Sequence, residues 1–273
     1  MGKFINPFTD YGFKKIFGQE ISKDLLIDFL NDLLKGERVI TDLTFLNNEQ
    51  LPKYDEGRGL IYDIYCCTDT GEKIIVEMQN KSQLHFKERA LYYLSNAIVQ
   101  QSEKGNEWKF NIKAVYGVFF MNFLFDHCVT LRTDVILADR DTGELFSDRM
   151  RQVFIALPLF NKEEDACEND FERWIYTLKN METLKRMPFK ARKAVFEKLE
   201  EVADVASLSK EERRRYENSV NVYRTNLCVL DAAKEEGREE ERLTNARRMK
   251  AEGLNSELIN RITGLSEEEI AAL

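Results

Sequence analysis

The stretch "IYDIYCCTDTGEKIIVEMQNKSQ", residues 61–83, contains two short apolar runs separated by a turn, with one acidic residue in each run. Runs rich in Ile, Val and Tyr on both sides of Asp-Thr-Gly are typical of a β-hairpin. If residues 69–71 form a three-residue loop, the register places Asp63 directly opposite Glu77. A two-residue loop would shift the register by one residue and separate the two acids.

Opposed side chains in a hairpin have Cβ atoms about 4.5–5.5 Å apart, so two carboxylates placed this way repel each other. A divalent cation such as Mg²⁺ or Mn²⁺ offsets this repulsion, because hard ions prefer carboxylate and carbonyl oxygens. Gln79 lies on the same strand face as Glu77, and the backbone carbonyl of Met78 lies between them. The sequence therefore predicts an oxygen-rich metal site. The alternative interpretation is a hairpin whose solvent-facing acids bind no ion.

Composition limits the chemistry that this chain can perform. Its 273 residues are 43% hydrophobic, which is enough for a large folded core. The chain has only two histidines, so catalysis is expected to depend on carboxylates. A net charge of −8 means that nucleic-acid binding would require a local basic groove. Because there is no signal sequence and no run of about 18–20 apolar residues, we predict a cytoplasmic protein without membrane contact.

The order of the predicted elements indicates an α/β fold with a mixed central sheet flanked by helices. Residues 9–36 show two helical periodicities, with Thr9 and Ser22 as predicted N-caps and Gly36 as a terminator. Between residues 39 and 157, strand patterns alternate with turns and are interrupted by a predicted helix at 85–105, which implies a crossover connection. The sequence becomes helical and highly charged beyond residue 165. We therefore predict a core domain at 1–160 and a helical C-terminal region at 161–273.

Two segments of the helical region are candidates for binding functions. The tail "ELINRITGLSEEEIAAL", residues 257–273, is compatible with a short helix-turn-helix. Its second helix would begin with three glutamates, which DNA phosphates repel, so a role in packing or homo-oligomer assembly is favoured. The basic segment "KRMPFKARK", residues 185–193, is a better candidate for a DNA-facing surface, and a solvated helix face is the alternative.

The order of "DYGFKKIFG", the hairpin and "HFKERALYYLSNAIVQQ" resembles the PD-(D/E)XK nuclease superfamily, in particular its transposase-associated, recombination-promoting branch. The resemblance extends over most of the chain and implies a restriction-endonuclease-like core. It implies that Asp63, Glu77 and the Met78 carbonyl bind Mg²⁺ or Mn²⁺. Gln79 stands where the superfamily pattern has a lysine that orients the attacking water, so it could act only through hydrogen bonds.

The function implied by this resemblance is a divalent-metal-dependent DNA endonuclease linked to recombination, transposition or defence. Lys14 and Arg89 are candidates for contacts with phosphate oxygens, and an exposed helix face is the alternative for both. Asp10 is a further site candidate, by resemblance to acids on the first helix of such nucleases. Two other functions stay open: a catalytically weakened nuclease-fold protein that binds DNA, and an interaction protein that acts through its helical C-terminal region.

Overall fold

The computed structural model describes residues 2–50, 59–103, 109–125 and 129–273, which fall into two compact units, Met1–Ser219 and Val220–Leu273. The helices are α1 (Asp10–Phe17), α2 (Lys23–Leu33), α3 (Phe86–Val99), α4 (Asp170–Asn180), α5 (Val195–Ala203), α6 (Lys210–Ala251), α7 (Ser256–Thr263) and α8 (Glu267–Ala272). The strands are β1 (Leu43–Phe45), β2 (Glu49–Gln50), β3 (Leu60–Ile61), β4 (Ile64–Thr68), β5 (Lys73–Gln79), β6 (Val115–Met121), β7 (Arg132–Ala138) and β8 (Leu145–Ala156).

Two helices open the chain, as predicted. The Thr9 side chain accepts a hydrogen bond from the Gly12 N–H and caps α1, which confirms one of the two predicted N-caps. Ser22 occupies the N-cap position of α2 but does not cap it, because its hydroxyl donates to the Lys15 carbonyl at 3.0 Å instead. Helix α2 ends at Leu33, and Gly36 adopts a left-handed φ of 84° shortly afterwards.

Six of the described strands form one mixed sheet in the order β1-β4-β5-β6-β8-β7. The neighbours of β5 differ in direction, since β4 pairs with it antiparallel and β6 pairs with it parallel. Helix α3 lies in the crossover between β5 and β6, as the sequence predicts. Residues 104 and 105 of the helix predicted at 85–105 lie outside the described residues.

The β4–β5 hairpin has the predicted register. Thr68 and Glu72 face each other, and the Thr68 N–H donates to the Glu72 carbonyl at 2.9 Å. Gly71 in the intervening loop has a φ of 95°, a left-handed conformation that glycine adopts without steric cost. The pairing continues without a shift to Ile64 opposite Val76. The three-residue loop is therefore confirmed, and the two-residue alternative is excluded.

Helices cover both faces of the sheet, and two consecutive residues of β6 contact helices on opposite faces. The Phe119 ring lies 6.0 Å from the ring of Phe86 on α3. The next residue, Phe120, faces the opposite side, where its ring lies 5.1 Å from that of Phe29 on α2. Because successive side chains of a strand alternate between faces, this pair locates two core layers on either side of the sheet. The predicted α/β fold is confirmed.

The unit Val220–Leu273 has a small core of its own, formed by Ala246, Ile259, Leu265 and Ile270. Helix α8 begins with the capping box of Ser266 and Glu269.

None of the described helices combines the length and the apolar character that a membrane crossing requires. The domain boundary that the sequence predicts near residue 160 stays a prediction.

Gly12 provides a test of how tightly the start of α1 is packed. A Cβ atom at this position would lie 2.0 Å from the Asn6 carbonyl oxygen and 2.7 Å from Thr9 Oγ1. We expect Gly12→Ala to lower the free energy of unfolding by about 1–3 kcal/mol, because the backbone of residue 6 must move. The matched control is Gly237→Ala in α6, where a Cβ meets no atom within 4 Å. Thermal unfolding of both variants measures the difference, and equal melting temperatures would show that the start of α1 tolerates the extra methyl group.

Candidate active site

Asp63 and Glu77 lie where the hairpin's backbone pairing ends. Asp63 immediately precedes β4, and Glu77 belongs to β5. The Asp63 N–H donates to Glu77 Oε1 at 3.0 Å, and the Met78 N–H donates to Asp63 Oδ2 at 2.9 Å. The ladder's final backbone pair is Ile64 with Val76, so these two bonds to carboxylates continue the hairpin one position further. Each acid is thus held by a main-chain donor of the opposite strand.

Burial and mutual repulsion make this carboxylate pair electrostatically unfavourable. Glu77 is only 2% exposed. Burial raises the pKa of Glu77, and the neighbouring Asp63 carboxylate raises it further. Burial also raises the pKa of Asp63, although its hydrogen bond from the Met78 N–H and the nearby Lys14 ammonium partly oppose that effect. The neighbouring positive charges therefore offset the repulsion and the burial only in part, and a bound cation would offset more of them.

Gln79 lies beside Glu77 on the same strand face, as predicted. Its side-chain Nε2 donates to Glu77 Oε2 at 3.1 Å. The backbone carbonyl of Gln79 accepts a hydrogen bond from the Asn122 N–H at 2.8 Å, which fixes the end of β5 against the residue that follows β6. The side-chain amide of Gln79 is therefore positioned next to the carboxylate pair, where it can donate hydrogen bonds but carries no charge.

Arg89 brings a positive charge to the pair from α3. Its Nη2 lies 3.8 Å from Glu77 Oε2, and its Nη1 donates to the side-chain carbonyl of Gln83. The guanidinium also lies over the Tyr93 ring, 5.3 Å from the ring centroid. These contacts place one of the two predicted phosphate-binding candidates directly at the site and set the orientation of its guanidinium.

Lys14 and Asp10 are paired with each other on α1. Lys14 Nζ lies 2.6 Å from Asp10 Oδ1, one helical turn away. Both groups are close enough to act on the Asp63 pKa, which Lys14 lowers and Asp10 raises. Among the described residues, neither side chain forms a hydrogen bond or ion pair with Asp63. The structure thus brings both predicted candidates to the edge of the site but not into contact with its carboxylates.

Two asparagines that organise the site were missed by sequence reasoning. Asn48 donates from Nδ2 to the Asp63 carbonyl at 2.9 Å, and its Oδ1 accepts from the Tyr65 N–H at 3.1 Å. Asn80 donates from Nδ2 to the Phe8 carbonyl at 2.6 Å and so ties the end of β5 to the turn before α1. A single asparagine in a loop carries no periodic or motif signal, so the sequence offers no means of finding either residue.

The donors at this site suit a hard divalent cation. The two carboxylates supply oxygen ligands, and the Met78 carbonyl that the sequence predicts as a ligand would supply another. Asp63 Oδ2 accepts the Met78 N–H, whereas no described residue donates a hydrogen bond to Oδ1. Within the described ranges, no group of three or more His, Cys, Asp and Glu side chains could hold a metal ion. An ion at this site would therefore have only two side-chain ligands of these types, and the carbonyl and water would complete its coordination.

The basic segment 185–193 is partly neutralised by acidic neighbours. Three of its side chains form ion pairs, which reduces the positive potential available to a phosphate. The pairs are Arg186 with Glu164, Lys190 with Glu200, and Lys193 with Asp28 and Asp32. The role of this segment as a DNA-facing surface stays a prediction.

Comparison with known proteins agrees with the site's geometry. A family model described as PD-(D/E)XK nuclease family transposase matches residues 7–233, a range that contains the hairpin and both flanking helices. No curated protein and no solved structure matches the chain. The family match supports a nuclease- or transposase-type function, and PD-(D/E)XK nucleases typically use divalent metal ions.

Because the two carboxylates repel each other, Asp63→Asn should stabilise the protein in the absence of metal. The raised pKa values mean that the folded state binds protons more tightly than the unfolded chain does. Wild type therefore loses stability as the pH rises above the unfolded value of about 4. Removing one charge should raise the free energy of unfolding by about 1–2 kcal/mol near pH 8, and by less near pH 5. Denaturant unfolding with EDTA at both pH values measures the change.

The contrasting control is Glu72→Gln at the other end of the same hairpin. Burial opposes ionisation of Glu72, but hydrogen bonds from the Thr68 and Thr70 hydroxyls outweigh it and lower the pKa. Arg38 Nη1 adds an ion pair at 2.8 Å. Glu72→Gln should therefore destabilise the protein near pH 8. If both variants lose stability there, the carboxylate pair is not repulsive.

Proposed function

We propose that this chain, which belongs to the PD-(D/E)XK nuclease family of transposases, is a divalent-metal-dependent DNA endonuclease that hydrolyses phosphodiester bonds. The observation that carries the proposal is the pairing of Asp63 with Glu77 across the β4–β5 hairpin. The buried Glu77 carboxylate and the partly buried Asp63 carboxylate lie opposite each other beside Gln79 and Arg89, an arrangement of charges that suits a cation and an anionic substrate.

In this proposal, Asp63, Glu77 and the Met78 carbonyl hold Mg²⁺ or Mn²⁺. The chemistry that a bound divalent cation supplies is stabilisation of charge on the scissile phosphate and a lower pKa for water. Asp63 Oδ2 and Glu77 Oε1 keep their orientation through the main-chain bonds across the hairpin. Hydrolysis then adds the oxygen of water to phosphorus and breaks one P–O ester bond. One DNA end keeps the phosphate, and the other leaves as a hydroxyl.

Gln79 is proposed to orient the attacking water. Its amide donates to Glu77 Oε2, so its rotation is restricted while its other amide atoms can bind water. The charge that a lysine would carry at this position is absent. We propose that Arg89 supplies positive charge to the non-bridging phosphate oxygens, since it lies 3.8 Å from Glu77 Oε2. Lys14 is proposed to contribute at longer range from α1, with Asp10 as a further candidate at the edge of the site.

The absence of the strand lysine favours a second candidate function, a catalytically weakened protein that binds DNA at the same carboxylate site. Arg89 is partly engaged by Glu77 and Gln83, which reduces its availability for phosphate. Under either function we propose a role in recombination, transposition or defence. We also propose assembly through the helical region 161–273, where α7 and α8 belong to a unit with its own core.

Metal binding can be tested apart from catalysis. An ion bound to the folded protein raises its stability by mass action, so Mn²⁺ or Mg²⁺ should raise the melting temperature of wild type in a concentration-dependent manner. Asp63→Asn removes one ligand charge and should abolish most of that increase. Asp24→Asn, an exposed acid in an ion pair with Lys198 on another part of the surface, is the matched control and should respond like wild type. A flat response of wild type up to millimolar Mn²⁺ would argue against the site.

Catalysis is tested by nicking and linearisation of plasmid DNA with Mg²⁺ or Mn²⁺. We expect Asp63→Ala to reduce cleavage to background, because it removes a metal ligand. Gln79→Ala should reduce the rate about 10- to 1,000-fold, the range for one positioned hydrogen-bonding group. Gln79→Lys should retain or raise activity, because it adds a cation next to the developing negative charge.

The same series separates the two candidate functions. Cleavage that persists undiminished in Asp63→Ala would refute the proposed site. Cleavage by Gln79→Lys but not by wild type would instead favour the weakened, DNA-binding function.

A further inference from the structure

A groove of about 650 Å³ opens beside Arg89, between β3 and the first half of α3. Its volume is within the range of about 300–1,000 Å³ that is usual for small-molecule pockets. Its lining includes Ile61, Gln83, Leu84, His85, Glu88, Arg89 and Tyr92. Arg89 belongs both to this groove and to the carboxylate site, where it approaches Glu77. The groove and the proposed cleavage site therefore share Arg89.

The groove presents aromatic and aliphatic surface to solvent. Tyr92 is 50% exposed, Ile61 66% and Leu84 88%. Exposed apolar surface concentrated in a concave site is typical of a binding site. Tyr92 differs from its neighbour Tyr93, whose ring packs against Tyr62 at 5.2 Å. The Tyr92 hydroxyl, in contrast, forms no hydrogen bond with any described residue. Tyr92 is thus available to contact a ligand.

The groove combines a cation with aromatic surface, which suits a nucleotide, while the acid Glu88 of the same lining lies 4.0 Å from His85 Nδ1. The Arg89 guanidinium suits a phosphate oxygen, and the Tyr92 ring and the Leu84 side chain suit the flat face of a base. His85 and Gln83 add polar groups that can bond to a base edge. His85 itself has a left-handed φ of 60° at the start of α3, and its side chain is 71% exposed. Because Arg89 is shared with the carboxylate site, a phosphate bound by Arg89 would also contact this lining.

We propose that this groove binds an unpaired nucleobase of the DNA strand that is cleaved, next to the scissile phosphate. The proposal rests on the endonuclease function proposed above and specifies its substrate. A base stacked inside a duplex cannot enter a groove lined by protein side chains unless it is first extruded. Extrusion costs least for a mismatched, bulged or single-stranded base. The preferred substrate is therefore DNA with a local distortion or an unpaired end.

The test measures binding in an Asp63→Asn background, so that cleavage does not interfere. Fluorescence anisotropy compares a labelled duplex that carries a single-nucleotide bulge with the fully paired duplex of the same length. We expect the bulged duplex to bind at least about 5-fold more tightly. Adding Tyr92→Ala should weaken binding of the bulged duplex by about 5- to 150-fold, the range for loss of one base–aromatic stack. The affinity for the paired duplex should change little.

Two further variants separate stacking from general damage. Tyr92→Phe keeps the aromatic ring and should keep the preference for bulged DNA. Leu91→Ala is the matched control, because Leu91 is 48% exposed on the same helix but does not line the groove. It should behave like the Asp63→Asn parent. Melting temperatures of all variants show whether each one is folded.

The outcomes distinguish this proposal from the proposed function. Equal affinity for the two duplexes, or a preference that survives Tyr92→Ala, would overturn the base-binding groove. Plasmid cleavage by wild type would still support the endonuclease in that case. A preference for bulged DNA that depends on the Tyr92 ring would support the groove even if wild type cleaved no plasmid, and would then point to the weakened, DNA-binding alternative.

Discussion

The register of the β4–β5 hairpin is the constraint on which the rest of the site depends. Side chains alternate between sheet faces, so a slip of one residue would move Glu77 and Gln79 to the opposite face and remove Asp63 from its partner. The turn prevents this slip. Gly71 takes a left-handed φ of 95°, and Glu72 accepts hydrogen bonds from the hydroxyls of Thr68 and Thr70. This polar turn, flanked by the buried Thr68 and Glu72, thus determines which side chains meet at the candidate site, five residues away along each strand.

Fixing the register also creates an electrostatic cost, because it brings two carboxylates together in a largely buried place. The fold offsets part of this cost with local donors, namely the main-chain N–H groups of Asp63 and Met78 and the amide of Gln79. Cations on two helices reduce it further, Arg89 by close approach and Lys14 at longer range. What is left is a deficit of positive charge. A site of this kind is stable enough to form, and it is stabilised further when a cation or a basic group approaches.

Sequence reasoning succeeded where a repeating pattern or a local turn determined the structure. The alternation of apolar residues and the helical stripe of α3 were sufficient to predict the mixed sheet. The meeting of Asp63 with Glu77 was predicted only for a three-residue hairpin loop, which the structure contains. It failed where a single polar group decides the geometry. Ser22 was predicted to cap α2 from its residue type, yet its hydroxyl bonds backward to the Lys15 carbonyl. Asn48 holds the Asp63 carbonyl across 15 residues of chain, a long-range contact that no local pattern encodes.

The exchange of lysine for glutamine on β5 also changes which element controls the charge of the site. A lysine on the strand would be fixed by the same hairpin register as the two acids. Arg89 instead depends on the position of α3, whose Phe86 packs against Phe119 of the sheet at 6.0 Å. Its guanidinium is further oriented by Gln83 and the Tyr93 ring. The positive charge is therefore connected through α3 to the groove that contains Tyr92. A ligand that binds in that groove contacts the helix that carries the charge, so under the proposed function substrate binding and the electrostatics of hydrolysis would depend on one element.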